Sequence, residues 1–432
     1  MYFIMLKFIH AADIHLDSAL KGLDAYDGAP AERIRGATRR ALENLVQLAL
    51  EESAAFVLIA GDLYDGDWYD YGTPLFFLRQ MARLCDADIP VFIIRGNHDA
   101  ANKMTNELKV PPNVTVFDHV RPETRTLAIG SRRVAIHGQS YSRAAVHVDL
   151  AAGYPEPLAH HLNIGLLHSC VESNEHERYA PCSVADLVRK GYDYWALGHV
   201  HSHQVLNEKP AIVFAGNLQG RHIRETGSKG CVLVAADEEN AFSLQFRALD
   251  VVRWKSITID VAGTSTRGDV LSRVESELET IRSDDDDGRL LAIRVTIAGE
   301  SEAHNQLAAN PQAWTAEVKN AANTRGRNDL WIEEVKIQST PPRALVLGEA
   351  DSSNDAFASI ERVLDELRRN DDALSECARA DLVELKKRLE PSLSQELDDV
   401  EMLREILNEV GPLLRMRVVA PRGETSDVEV SS

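Results

Sequence analysis

Five short apolar stretches of this chain each end in aspartate, asparagine or histidine. The residues at these ends are Asp13 and His15, Asp62, Asn97 and His98, His168, and His199 and His201. Each apolar stretch has the length and composition of a buried strand. Carboxylate oxygen, amide oxygen and imidazole nitrogen, with no thiolate, suit hard or borderline divalent metal ions. The pattern therefore predicts a two-metal hydrolase.

The spacing of the motifs indicates which residues share a metal. Two metals held about 3.5–4 Å apart need a bridging ligand, and a carboxylate suits that role. Asp62 follows the central one of the first three strands, so it is the bridging candidate. Asp13 and His15 are two residues apart on an extended segment, so their side chains point to the same face and can share one metal.

The remaining motif residues complete the predicted site. His199 and His201 have the same two-residue spacing, and they can bind one metal each or both bind the same one. Asn97 offers a neutral oxygen and His168 an imidazole nitrogen. His98 directly follows Asn97 and should face differently, which suits it to protonating a leaving oxygen rather than to binding metal.

The elements around these motifs alternate between strand and helix. Amphipathic helices are predicted over 31–53 and 73–85, between the first three motif strands. A βαβαβ order implies parallel strands with helical crossovers, and ligands of such sheets bind beyond the carboxyl ends of the strands. Further short strands, predicted to be antiparallel, close the domain at 212–214, 231–235 and 242–246. The expected architecture is a sandwich with helices outside.

The chain of 432 residues exceeds the usual size of a single core, so several domains are expected. We predict a main domain over 1–250, a small α+β domain over 251–342 and a helical segment over 343–419. A polar, disordered tail is predicted over 420–432. The four aspartates at 284–287 are predicted to form a solvated loop.

Composition and charge narrow the class of protein. No apolar run approaches the roughly 20 residues needed to cross a bilayer, so we expect no membrane contact. The five cysteines are scattered without a Cys-x-x-Cys pair, which favours reduced thiols in a cytoplasmic protein. A net charge of −20 repels nucleic acid at long range, although most of the acidic excess lies in the later segments.

In this order, Asp-x-His, Gly-Asp-x-x-(Asp), Gly-Asn-His-Asp, a lone His and Gly-His-x-His resemble the calcineurin-like metallophosphoesterase superfamily. The resemblance covers roughly residues 5–250. The runs 95–103, 135–139, 191–199 and 216–221 are similar to bacterial DNA repair exonucleases of the SbcD type, particularly the YhaO-like branch. The implied fold is an α/β (α+β) metallophosphoesterase β-sandwich flanked by helices, followed by a small capping domain and C-terminal helices.

The resemblance also implies roles for single residues. It places Asp13, His15, Asp62 and His201 at one metal and Asp62, Asn97, His168 and His199 at the other. It implies that His98 is the catalytic histidine and that the two divalent ions are Mn²⁺. The implied partners are DNA and an SbcC-like coiled-coil ATPase that binds the C-terminal helices. A homodimer is a further option.

One feature departs from the nuclease pattern. The nuclease subunits usually carry Gly and a basic residue after Asp-x-His-Leu, whereas this chain has Asp17 and Ser18. A phosphodiester still needs cations near the metals. Arg143, Arg221 and His222, with Arg224, follow motif strands and are the candidates for binding phosphate oxygens. Trp68, Tyr69 and Tyr71 follow the second motif and either stack on bases or pack against a neighbouring loop.

Three functions remain open at this point. The first is a metal-dependent DNA phosphodiesterase, namely an SbcD-like exonuclease subunit. The second is a metallophosphoesterase acting on small nucleotides or other phosphoesters, which the acidic charge favours. The third is a non-catalytic scaffold for an SbcC-like ATPase, which the complete ligand set disfavours.

Overall fold

In the computed structural model, the chain forms two compact units. The first contains Met1–Ser256, Asp285–Ile293 and Arg327–Glu333, and the second contains Ile257–Asp284, Arg294–Gly326 and Glu334–Ser432. The structure describes residues 5–18, 30–65, 72–101, 109–172, 179–285, 287–323, 329–342, 355–386, 400, 403–404 and 407. The aromatic loop at 68–71 and the predicted tail over 420–432 lie outside these residues.

The first unit contains a six-stranded mixed sheet with the order β12-β11-β1-β2-β3-β4. Its strands are β1 (Leu6–Ala11), β2 (Val57–Ala60), β3 (Val91–Ile94), β4 (Val114–Val116), β11 (Gly230–Ala236) and β12 (Phe242–Ala248). Strands β1 to β4 are parallel, whereas β11 is antiparallel to β1 and to β12. The first three motifs therefore follow parallel neighbours, as the helical crossovers predict.

A second six-stranded sheet has the order β5-β6-β7-β8-β10-β9. Its strands are β5 (Glu123–Ile129), β6 (Arg132–Gly138), β7 (Leu162–His168), β8 (Tyr194–Gly198), β9 (Gln204–Glu208) and β10 (Ala211–Phe214). The prediction that the strand at 212–214 is antiparallel is wrong with respect to β8, to which β10 is parallel. The mostly exposed β9, which has no apolar signal in the sequence, pairs antiparallel with β10 and returns the chain.

The core of the first unit lies between the two sheets and beneath the helices. Phe8, Leu58 and Tyr194 are fully buried in the layer between the sheets. Leu42 and Met81 come from helices that pack on the outer face of the first sheet. The helices are α1 (Ala31–Arg35), α2 (Ala37–Glu51), α3 (Gly72–Asp86), α4 (Asn97–Ala101) and α5 (Val184–Arg189). The single helix predicted over 31–53 is therefore divided at Gly36.

The later part of the chain carries a three-stranded sheet and, among the residues that the structure describes, five further helices with defined bounds. Strands β13 (Val252–Asp260), β14 (Leu290–Glu300) and β15 (Leu330–Thr340) lie in that order. The helices are α6 (Arg267–Asp284), α7 (His304–Ala309), α8 (Pro311–Asn323), α9 (Asp355–Arg369) and α10 (Asp371–Lys386). Leu364 and Leu374 are buried in one cluster with Leu403 and Leu407. No helix in the described ranges is long and apolar enough to span a membrane.

The predicted solvated loop at 284–287 is wrong at Asp285. This carboxylate is buried in the first unit, where it lies 2.6 Å from Nη1 of Arg253 and 3.0 Å from Nζ of Lys255. A buried carboxylate is tolerated when cations and hydrogen bonds compensate it. A run of aspartates in the sequence does not reveal such pairing, because both basic partners lie about 30 residues away.

Candidate metal centre

The first two motifs are placed side by side by the chain beyond the ends of β1 and β2. The backbone N–H of Asp13 donates to the carbonyl of Gly61 at 3.0 Å, and the N–H of His15 donates to the carbonyl of Asp62 at 3.0 Å. The two segments therefore continue the parallel pairing of their strands. This pairing brings Asp13 and His15 to the same region as Asp62.

Five predicted ligands bring their donor atoms together. Nε2 of His15 lies 3.3 Å from Nε2 of His201, which lies 3.9 Å from a carboxylate oxygen of Asp13. Oδ2 of Asp62 lies 3.9 Å from Nε2 of His15 and 3.5 Å from Nε2 of His168. The Asp62 carboxylate thus faces Nε2 of both histidines, and its bridging role stays a prediction.

Asn97 and His199 complete the predicted set. Oδ1 of Asn97 lies 3.0 Å from Nε2 of His168. The ring of His199 lies 5.2 Å from that of His168, between centroids, and its backbone N–H donates to both carboxylate oxygens of Asp13 at 3.0–3.1 Å. Among the described residues, the groups with three converging His or Asp donors include Asp13, His15, Asp62, His98, His168 and His201. His199 lies beside these groups rather than in them.

Four predicted ligands have a left-handed backbone that only glycine adopts easily. The φ angle is 48° at Asp13, 45° at His15, 50° at Asp62 and 102° at His199. Such residues cost about 1–3 kcal/mol each and persist only where the surrounding structure holds them. Their concentration at the strand ends indicates a functional site. The sequence did not predict this backbone conformation.

Two glycines allow these segments to approach one another. A Cβ on Gly96 would lie 2.3 Å from Oδ1 of Asp62 and 2.8 Å from the His168 ring. A Cβ on Gly61 would lie 2.4 Å from Nδ1 of His168, and its φ of 91° also favours glycine. The glycines that precede Asp62 and Asn97 therefore allow close packing of the donors.

His168 and His201 turn Nε2 toward the cluster because Nδ1 of each faces another acceptor. Nδ1 of His168 lies 2.9 Å from the carbonyl of Ala60, and Nδ1 of His201 lies 2.7 Å from Oε1 of Glu225. These acceptors fix the tautomer whose Nε2 lone pair is free for a metal. Nδ1 of His15 makes no hydrogen bond with the described residues, and a carboxylate oxygen of Asp65 lies 3.5 Å from it.

The electrostatics of the cluster fit divalent metal ions. Burial raises the pKa of Asp13 to about 7 and that of Asp62 to about 6, since few positive charges compensate these carboxylates. Burial lowers the pKa of His168 to about 3, so its ring is neutral. Buried carboxylates that lack compensating charge beside neutral imidazoles form a donor set that a divalent cation stabilises.

His98 offers a ring nitrogen to one of these donor groups, with His15 and Asp62, and it is the most exposed of the three. Nδ1 of His98 lies 2.8 Å from Oδ1 of Asp65, and the side chain is 42% exposed. Its backbone N–H donates to Oδ1 of Asp62 at 2.9 Å. The hydrogen bond with Asp65 raises the pKa of His98. His98 is therefore held against the cluster with its ring partly open to solvent.

Two acidic residues that the sequence analysis left without a role support the site. Asp99 is buried and accepts hydrogen bonds from the backbone N–H groups of Leu63, Tyr64 and Gly96 at 2.8–3.1 Å, which joins the second and third motif segments. Although burial opposes it, the neighbouring histidines hold the pKa of Asp65 well below its usual range. Both aspartates lie within the motifs quoted above, and this position in the sequence is the feature that could have indicated a role at the site.

The predicted substrate-binding residues differ in their surroundings. Arg143 is exposed in the segment after β6. The Arg221 guanidinium lies 2.9 Å from Oε1 of Glu225 and 3.5 Å from Oδ2 of Asp65, and only 14% of its side chain is exposed. His222 is largely exposed, with Nε2 3.9 Å from Glu225. Substrate binding by these three residues stays a prediction.

In place of the Gly of the nuclease pattern, this chain has Asp17. Its carboxylate accepts hydrogen bonds from Nε of Arg39 at 2.8 Å and from the Thr73 hydroxyl at 2.6 Å. The Ser18 hydroxyl donates to the Asp65 carboxylate. Asp17 therefore joins the segment after His15 to α2 through an ion pair with Arg39 and to α3 through a hydrogen bond with Thr73.

Comparison with known proteins identifies similar sequences over most of the chain. Residues 6–203 match the model of the calcineurin-like phosphoesterase family, and residues 254–340 match the middle domain of metallophosphoesterase YhaO. The chain is 35% identical over 297 residues to the uncharacterized metallophosphoesterase YhaO of Bacillus subtilis (strain 168), covering 68% of this chain and 72% of that protein.

A solved structure described as GAP50, the anchor in the inner membrane complex of Plasmodium, is also similar. The match covers 57% of this chain and 85% of that chain, with 12% sequence identity and a TM-score of 0.34. No inference rests on a likeness of this size.

Proposed function

Since this chain belongs to the calcineurin-like phosphoesterase family and is a metal-dependent phosphoester hydrolase, we propose that it cleaves phosphodiester bonds in DNA. The observation that carries the metal-dependent part is the convergence of buried carboxylates and Nε2 nitrogens from both sheets. The SbcD-like motif runs support DNA as the substrate. We further propose Mn²⁺ as the metal.

The proposed ligand sets share one carboxylate. Asp13, His15, Asp62 and His201 would hold one ion. Asp62, Asn97, His168 and His199 would hold the other. Bound divalent ions would supply positive charge to the phosphoryl transition state and activate the attacking water. Asp62 fits the shared position because its carboxylate faces both His15 and His168.

His98 is the residue of this chain best placed to move a proton. Because Nδ1 lies 2.8 Å from Asp65, Nε2 is the nitrogen left to donate to the leaving oxygen of the substrate. Asp65 holds the ring in one orientation and stabilises its protonated form. The partial exposure of His98 gives a substrate access to it, whereas the buried ligands are reached only at their donor atoms.

One assay tests this proposal. The purified full-length protein with Mn²⁺ is incubated with end-labelled linear DNA and, separately, with bis(p-nitrophenyl) phosphate, using His98→Ala as the control. We expect both substrates to be cleaved by the wild type and neither by the variant. DNA left intact while the small diester is turned over would contradict the DNA assignment, provided that adding an SbcC-like ATPase does not restore cleavage.

A small phosphodiester or nucleotide is the second candidate substrate. The net charge of −20 disfavours a polyanion. In addition, Arg221 is paired with two carboxylates, and Ser18 stands where the nuclease pattern has a basic residue. A steep decrease of DNA binding with salt would favour DNA, because counterion release scales with the number of phosphate contacts.

A further inference from the structure

We propose that Glu225 is a positioning residue that fixes the imidazole of His201 and sets the affinity of the metal ion that His201 binds. The inference rests on the metal centre of the proposed function. It assigns to Arg221 the role of a counter-charge for Glu225, in place of a free phosphate-binding side chain.

The side chains of His201 and Glu225 form a hydrogen bond. Nδ1 of His201 lies 2.7 Å from Oε1 of Glu225, a short distance for such a pair. A ring that donates from Nδ1 keeps the lone pair on Nε2. That Nε2 atom faces Nε2 of His15 at 3.3 Å and the Asp13 carboxylate at 3.9 Å. Glu225 thus selects the ring nitrogen offered to the cluster.

The Glu225 side chain is itself held in place by Asn217 and Arg221. It is 7% exposed. Its Oε2 accepts hydrogen bonds from Nδ2 of Asn217 at 3.0 Å and from the backbone N–H of Arg221 at 2.8 Å. Nη2 of Arg221 donates to Oε1 at 2.9 Å. The carboxylate therefore has one orientation and a nearby positive charge, which makes a buried anion tolerable.

The backbone of His201 is held by hydrogen bonds of its own. The carbonyl of His201 accepts hydrogen bonds from Nζ of Lys229 at 2.7 Å and from the backbone N–H of Asn217 at 3.4 Å. These contacts hold the main chain without Glu225. Loss of the Glu225 carboxylate should therefore change the orientation and basicity of the ring more than the path of the chain.

His168, His15 and His201 differ in the group that lies nearest to Nδ1 of the ring. His168 donates from Nδ1 to a backbone carbonyl, and Nδ1 of His15 is 3.5 Å from its nearest carboxylate. Of these three histidines, His201 is the one with a carboxylate within 3 Å of a ring nitrogen. A carboxylate partner raises the basicity of a metal-binding imidazole more than a neutral carbonyl does. We therefore expect the dependence on the residue behind the ring to be larger at His201 than at His168 or His15.

The test measures Mn²⁺ binding by the full-length protein. Wild type, Glu225→Ala, Glu225→Gln and the control Glu52→Gln are titrated calorimetrically with Mn²⁺ after removal of metal. Glu52 is a matched control because it is also paired with two basic residues, Lys7 and Arg247, but touches none of the cluster. We expect Glu225→Ala to weaken one Mn²⁺ site by about 10–100-fold and the other much less.

The near-isosteric Glu225→Gln variant keeps the test decisive if the alanine variant folds poorly. Its amide oxygen can still accept from Nδ1 of His201, so we expect an intermediate loss of affinity. The electron paramagnetic resonance spectrum of the bound Mn²⁺ should change in both Glu225 variants and remain that of the wild type in Glu52→Gln. A contribution to folding alone would not alter the spectrum of one ion.

The outcomes for this inference and for the proposed function are distinguishable. Wild-type Mn²⁺ affinity and spectrum in folded Glu225→Gln would overturn the positioning role, even if the protein cleaves DNA. Conversely, selective weakening of one site in the Glu225 variants would support the role, even if the wild type cleaves only small diesters.

Discussion

Nε2 of His15 and Nε2 of His201 face each other at 3.3 Å although the two residues are 186 positions apart in the chain. His15 follows a strand of the first sheet, whereas His201 follows a strand of the second. Two ring nitrogens at this separation are arranged to share one positive ion, and the ring of His201 has an acceptor behind it in Glu225. The site thus lies where the two sheets of the sandwich meet at their carboxyl ends.

Asp62 should be required for metal binding. Its carboxylate faces His15 and His168, so removal of its charge in Asp62→Asn affects both predicted ion positions. We expect the variant to retain less than one equivalent of Mn²⁺ after dialysis, as measured by mass spectrometry of the metal content. The exposed Asp118→Asn variant is the control and should match the wild type. Two retained equivalents in Asp62→Asn would rule out the shared-ligand assignment.

His98 should be required for turnover but not for metal content. We expect His98→Ala to lower kcat for bis(p-nitrophenyl) phosphate by about 10²–10⁴-fold, because a positioned general acid contributes that much. Asp65→Asn should cause part of the same loss, and the double variant should be no slower than His98→Ala. Additive losses would mean that Asp65 does not act through His98. The exposed His119→Ala variant is the control.

Gly96 should tolerate no side chain. In Gly96→Ala the added Cβ would overlap Oδ1 of Asp62 at 2.3 Å, so the donors must move apart. We expect loss of Mn²⁺ binding and a decrease of about 1–3 kcal/mol in the free energy of unfolding, measured in urea. Gly153→Ala is the matched control because nothing lies within 4 Å of its Cβ position. Equal effects of the two substitutions would contradict this packing argument.

The buried residue His10 should make stability depend on pH. Its ring contacts the Tyr194 hydroxyl at 3.0 Å and the Leu197 carbonyl at 3.1 Å, and burial lowers its pKa from 6.5 to about 3. Below pH 6.5 the unfolded chain takes up a proton that the folded protein excludes. The stabilisation is therefore complete above pH 6.5 and is lost as the pH falls toward 3.

The measurement is urea unfolding at pH 7 and pH 5 in the presence of a chelator. One such histidine accounts for about 2 kcal/mol of the stability lost between these two values. We expect the loss to be smaller by about that amount in His10→Gln than in the wild type. The exposed His119→Gln variant should keep the wild-type dependence. An unchanged dependence in His10→Gln would show that other groups cause the acid sensitivity.

The fold of the first unit could be predicted in large part from the sequence. Apolar runs and amphipathic helices between them give parallel strands β1 to β3 and the edge at which the motifs meet. The direction of β10 could not be predicted, because it depends on β9, whose side chains are mostly exposed. The buried state of Asp285 was missed for a related reason, since its basic partners are remote in sequence.

The donor atoms of the site, and the order in which the strands present them, can be read from the sequence. The types Asp, Asn and His at strand ends fix the ligand chemistry, because that chemistry depends on residue type alone.

Which nitrogen of each histidine faces the cluster, and which residues lie behind the rings, depends on tertiary contacts. Glu225 and Asp65 reach His201 and His15 through contacts between distant segments, and the left-handed backbone at Asp62 exists because its neighbours hold it. These features depend on the packing of two sheets against each other. Distances and side-chain orientations between segments far apart in sequence are set by that packing, so no local pattern carries them.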